Sequence, residues 1–112
     1  DLGLKYGNKP IYSTKKSDFY FDLIIPLLRK GYGVSIGFAG HIMRVQSLNA
    51  EGMLLDDPFG KMDINKRVAN GGSGGWIESN SSDGIKIVGD NVLYKWTDIE
   101  KTSVTMVEWF YK

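Results

Sequence analysis

Between Phe19 and Leu28 the apolar positions Leu23, Ile24, Leu27 and Leu28 recur at the i, i+1, i+4, i+5 spacing of one buried helical face. Ser17 or Asp18 supplies an N-cap. Arg29 and Lys30 suit the negative end of the helix dipole, and Gly31 suits a left-handed C-terminal cap. Pro26 lies inside this run. It marks either the first turn of a helix starting near Ile24 or a kink in a longer one.

After Gly33 the period drops to two. Val34 to Phe38 reads as a strand, Ala39-Gly40 as a tight connection, and His41 to Leu48 as a second strand. The face bearing His41, Met43 and Val45 is the apolar one. Asn49-Ala50-Glu51-Gly52 is a turn, Met53-Leu54-Leu55 a third strand, and Asp57-Pro58 ends it, because proline cannot donate to a ladder. Ile85 to Val88 and Val92 to Trp96 read as a hairpin around Gly89-Asp90-Asn91, and Val104 to Tyr111 as a last, two-sided aromatic strand. Asp63 to Val68 has the pattern of a helical turn, and Thr97 to Glu100 that of a bend or short helix. Asp1 to Pro10 reads as a polar loop, Ile11 to Ser13 as a short edge strand. Asn70 to Gly75, NGGSGG, is flexible by composition, natural or engineered, and Asn70 to Gly84 is the segment expected to be least ordered. The expectation is an α+β fold: one N-terminal helix, then a mostly antiparallel sheet of five to seven strands.

The totals narrow the class. One hundred and twelve residues with 42% hydrophobic content make a single domain, 1–112. Fourteen basic against 13 acidic residues leave a net charge of +1, which argues against a nucleic-acid partner. No apolar run reaches the roughly 18 residues of a membrane span. The absence of cysteine excludes disulfides and thiolate metal sites, and a single histidine argues against catalytic zinc. No cofactor is implied, and localisation is left open. The chain begins at Asp1 without methionine or signal peptide, and so reads as processed or cut from a longer product.

The chemistry gathers at one hairpin. Antiparallel strands joined by a short turn put the start of the first beside the end of the second. His41 therefore falls at the same end as Asp56 and Asp57. An imidazole beside a carboxylate is the orienting half of a nucleophilic triad. His41 to Leu48 is longer than Met53 to Asp57, so His41 overshoots Asp57 unless a bulge or slipped register brings them level. Adjacent residues on a strand face opposite ways, so the two aspartates cannot easily share one site. Asp57 is preferred as the orienter, Asp56 as a turn or solvated residue.

The residues Gly40, His41, Asp57, Pro58 and Gly60, a Gly-His strand followed by a turn, a second strand and Asp-Pro-x-Gly, resemble the C39-like peptidases. These are papain-like cysteine peptidases, many of them bacterial or phage domains. The resemblance runs over roughly Asp22 to Ile99, with Tyr94 and Trp96 near a final aromatic strand. It implies the sheet-bearing half of a papain-like domain, with His41 as general base and Asp57 as its orienter. The substrate it implies is a peptide or peptidoglycan-like cross-link, in a secreted, cell-wall or virion setting. The family's nucleophile is an upstream cysteine preceded by an oxyanion-hole glutamine, and this chain has no cysteine. Two readings follow. Either an N-terminal fragment or partner chain carries the cysteine, or the chain is an inactive module used for peptide or protein binding or assembly.

Other candidates read more plainly. Gly71 to Gly75 lacks the Lys-Ser/Thr of a phosphate loop. Trp76, Tyr94, Trp96, Trp109, Phe110 and Tyr111 read as core aromatics, with Trp76 the best surface candidate for a carbohydrate- or peptide-binding platform. Ser13, Ser17 and Ser35 lack the strand-to-helix elbow of a serine nucleophile.

Overall fold

The computed structural model describes residues 5–10, 17–38, 40–83, 85–102 and 104–111, and at residues 10, 17–19, 38 and 104 the backbone alone. In chain order these form β1 (Lys5–Pro10), α1 (Ser17–Arg29), β2 (Gly33–Phe38), β3 (His41–Leu48), β4 (Gly52–Asp56), β5 (Gly60–Met62), α2 (Ile64–Ala69), β6 (Trp76–Ser79), β7 (Val92–Lys95), α3 (Trp96–Ile99) and β8 (Val104–Tyr111). The fold is α+β. Six strands form one sheet in the order β1-β8-β2-β3-β4-β7, and β5 pairs with β6 beside it. Every described pairing is antiparallel.

The helix covers one face of this sheet. Tyr20, Ile24 and Leu27 of α1 are buried at i, i+4, i+7, and Leu23 and Leu28 pack partly against them. They meet Val34, Ile36, Met43, Val45, Met53, Leu55 and Val107, all from one side of the strands. Tyr20 completes the stripe one turn earlier than the aliphatic pattern suggested, and its ring stacks on Trp96 with centroids 5.5 Å apart. Pro26 lies within the helix, not at its start. Pro26 and Asp22 are both exposed, so the carbonyl left without a donor is on the solvent side. The helix closes as expected: Gly31 has φ +78°, Gly31 N–H donates to Leu28 and Tyr32 N–H to Leu27. The Ser17 and Asp18 side chains, and the strand expected at Ile11 to Ser13, lie outside the described residues.

Three segments differ from the reading of the pattern. The polar loop expected at the N-terminus is in fact an edge strand, with Lys5–Pro10 paired to β8. Edge strands are often polar and carry proline, which protects the open edge from further pairing. Gly7 is required there, since a Cβ would come within 2.1 Å of the Trp109 indole. The segment Ile85 to Val88 forms no strand. Val88 and Gly89 N–H groups donate to Asn80 Oδ1 at 2.7 and 3.0 Å, so a side chain has taken the ladder's donors. The stretch from Asn70 to Gly84, expected to be least ordered, contains β6 and the well-bonded Asn80. No helix among the described residues is long and apolar enough to cross a membrane.

Candidate functional site

His41 opens β3 directly after Gly40. The preceding hairpin pairs Phe38 with His41, and Gly40 has φ +71° with Gly72 O 2.9 Å from where a Cβ would sit. Only glycine fits both conditions. The alternation of β3 then puts the imidazole on the side of buried Met43 and Val45. On β4, Met53 and Leu55 are buried on that same side, and Asp57 follows two residues on.

The stagger between the two strands is absorbed by a bulge. Val45 pairs with Leu55 and Ser47 with Leu54, leaving Gln46 extra on β3. Arg44 then faces Asp56. Continuing that register makes His41 a diagonal neighbour of Asp57, within side-chain reach. His41 Nε2 lies 2.7 Å from Asp57 Oδ2, with the two side chains 12% and 1% exposed. The ring N–H is not aligned as a linear hydrogen bond requires, so this is a close polar contact. Among the described residues neither atom has a hydrogen-bond partner.

The carboxylate is held from behind. Phe59 N–H donates to Asp57 Oδ1 at 2.8 Å, an Asx turn that leaves Oδ2 for the ring. Asp57 N–H donates to Gly89 O at 2.9 Å. Asn80 Nδ2 donates to Pro58 O at 2.7 Å and to Asp57 O at 3.3 Å, and its Oδ1 accepts Val88 and Gly89 as described. One amide thus ties the Asp57-Pro58 turn to the segment before β7. Burial, chiefly, raises the Tyr94 phenol; donation from Met62 N–H works against this, and the Asp57 charge adds to it.

Aromatic rings wall the imidazole. Phe59 lies 5.1 Å away, tilted at 31°, and Trp76 5.4 Å away, edge-on at 84°. Phe59 is 59% exposed, so this wall borders solvent. Trp76, singled out as a surface candidate, is only half-exposed. The Arg67 guanidinium lies 5.6 Å over its ring, so one indole face is already occupied. Tyr94 and Trp96 are core residues, and Trp109 packs partly against that core.

Asp56 points the other way. Its Oδ1 accepts Asn91 N–H at 2.7 Å and its Oδ2 accepts the Gln46 side chain, so it braces the hairpin outside the histidine's face. Ser35 pairs with Arg44, on the face opposite His41; Ser13 and the Ser17 side chain lie outside the described residues. Asn80, Phe59 and Arg67 carried no sequence signal as site residues: Asn80 meets the Asp57 turn from 23 positions away, Phe59 meets the imidazole across the hairpin, and Arg67 reaches the site by way of Trp76. Among the described residues no three of His, Cys, Asp or Glu cluster as metal ligands.

The pair can do specific chemistry. A carboxylate this close to Nε2 favours the proton on that nitrogen, which would leave the Nδ1 lone pair as a base and stabilise the imidazolium formed when Nδ1 is protonated. Comparison with known protein families, curated proteins and solved structures finds no match.

Proposed function

We propose that this chain is the histidine- and carboxylate-bearing part of a C39-like, papain-like cysteine peptidase, acting on peptide or amide bonds such as those of peptidoglycan cross-links. The observation that carries this reading is the 2.7 Å approach of His41 Nε2 to the buried Asp57 Oδ2 beside a partly open aromatic wall. His41 Nδ1 takes the proton of a thiol supplied from outside this sequence. The thiolate adds to the carbonyl carbon, and the imidazolium, held by Asp57, returns the proton to the leaving amine. Water then hydrolyses the thioester with His41 again as base.

The test is the coding sequence extended upstream of Asp1 through its first cysteine. The extended protein should hydrolyse a peptide or peptidoglycan-fragment substrate. His41→Ala should abolish turnover while circular dichroism stays unchanged. Turnover surviving in that variant, or an upstream sequence with no cysteine, refutes the assignment. A second reading, an inactive module for peptide or protein binding or assembly, is favoured by the absence of cysteine from residues 1–112. It expects peptide binding without turnover, unaffected by His41→Ala.

A further inference from the structure

Among the described residues Arg67 is the buried charged side chain that the proposed chemistry leaves unused. It sits on the short helix α2 yet is only 7% exposed. Guanidinium groups are seldom buried to that extent unless their donors and planar faces are engaged. Here Nη1 donates to Gly74 O at 2.8 Å, and the guanidinium carbon lies 5.6 Å over the Trp76 ring. The backbone is engaged as well: Gly72 N–H donates to Arg67 O at 2.9 Å, and a Cβ on Gly75 would come within 2.7 Å of Arg67 N.

These contacts reach the histidine through Trp76 and through the turn at Gly40. Gly71, Gly72, Gly74 and Gly75 all have positive φ, a backbone with little conformational preference of its own. Arg67 fastens both ends of that run. The run in turn presses on the turn before β3, where Gly72 O and Arg67 Nη2 lie 2.9 and 4.0 Å from the Cβ position of Gly40. The indole under the guanidinium stands edge-on to the imidazole at 5.4 Å.

We propose that Arg67 is a positioning residue for His41: its guanidinium holds Trp76 and the glycine loop against the Gly40–His41 turn, and so sets the plane of the imidazole over Asp57. The contacts are independent of who supplies a thiol; the purpose assigned to them rests on His41 being a general base. The role is specific to arginine, because a lysine ammonium carries the charge but neither stacks flat on indole nor donates from a rigid fork.

His41 is the sole histidine, so its ring resonances are unambiguous in a nuclear magnetic resonance spectrum of this chain. In the wild type the ring protons should carry the ring-current displacement of Phe59 and Trp76, and the ring nitrogens the pattern of an Nε2–H tautomer. Arg67→Met should lose that displacement and average the nitrogen pattern, while core methyls of Ile36, Leu55 and Val107 keep their shifts. Arg67→Lys should fail to restore the wild-type pattern. In the extended enzyme, Arg67→Met should lower kcat with KM held. A wild-type histidine signature in folded Arg67→Met, or full rescue by Arg67→Lys, overturns the proposal. Should Arg67→Met not fold, Arg67→Lys is read on the same signals, and a wild-type pattern there overturns it equally. The spectra need no turnover, so failure of the peptidase reading and failure of this one are separately visible.

Discussion

Replacing Asn80 with alanine should loosen the carboxylate end of the site and lower global stability together. The amide makes four contacts: Pro58 O at 2.7 Å, Asp57 O at 3.3 Å, Val88 N at 2.7 Å and Gly89 N at 3.0 Å. Three are short, and each is worth about 1 kcal/mol net. Asn80 is only half-buried, so water replaces part of what is lost. The expected loss is therefore about 2–3 kcal/mol. For a chain of this length that is a fall in Tm of roughly 10 °C. Urea unfolding should show a lower midpoint with an unchanged slope. Hydrogen exchange adds the local test, since the Val88 and Gly89 amides should lose protection beyond that of the core strands. Asn80→Asp separates the two halves of the contact. It keeps the acceptor for Val88 and Gly89 but turns an oxygen toward two carbonyls, and it should recover only part of the stability. A loss below about 0.5 kcal/mol in Asn80→Ala, with both amides still protected, would refute the argument that this one side chain replaces a strand pairing.

Three further outcomes are expected. Asp57→Asn keeps an acceptor for Phe59 N–H but removes the charge facing the ring; in the extended enzyme, kcat should fall on the order of 10²- to 10⁴-fold, and near-normal steady-state rates would contradict the orienting role. Gly40→Ala must adopt φ +71° with Gly72 O 2.9 Å from its new Cβ, so it should cost about 1–3 kcal/mol, read by thermal melting. Burial first, and then the charge of Glu100, push the Tyr20 phenol from its ordinary 10.0 up to about 12. The folded chain therefore keeps a proton that the unfolded chain releases. The stabilisation is complete below pH 10 and lost as pH rises toward 12, with a ceiling of about 3 kcal/mol. Alkaline unfolding of Tyr20→Phe should lack that component.

The hairpin shows how far periodicity reaches. Alternation put His41 with Met43 and Val45, and opposite-facing neighbours separated Asp56 from Asp57; both relations hold in the structure. The stagger was also legible, and a bulge was one of the remedies expected, but its position was not. A bulge at Gln46 depends on pairing with another strand, and neither strand's own pattern encodes it. β1 was misread because an edge strand and a loop share the same polar, proline-bearing composition. Ile85 to Val88 was misread because its apolar residues predict a ladder, whereas the side chains of Asn80, Ser81 and Asp83 just upstream take the Val88, Lys86 and Ile85 donors.

What the sequence determined by itself is local and periodic. The stripe on α1, the glycine cap after it, the in-out order along β3 and the turn at Asn49 follow from side-chain spacing and backbone preference, which act over a few residues. The absence of a thiol is likewise a property of composition. Tertiary structure alone decided that Phe59 and Trp76 wall the imidazole, that Asn80 braces the carboxylate's turn, and that Arg67 is buried behind Trp76. Those contacts join residues from separate loops and elements. Their free energy exists only once the chain has closed on itself, so no window along the sequence contains them.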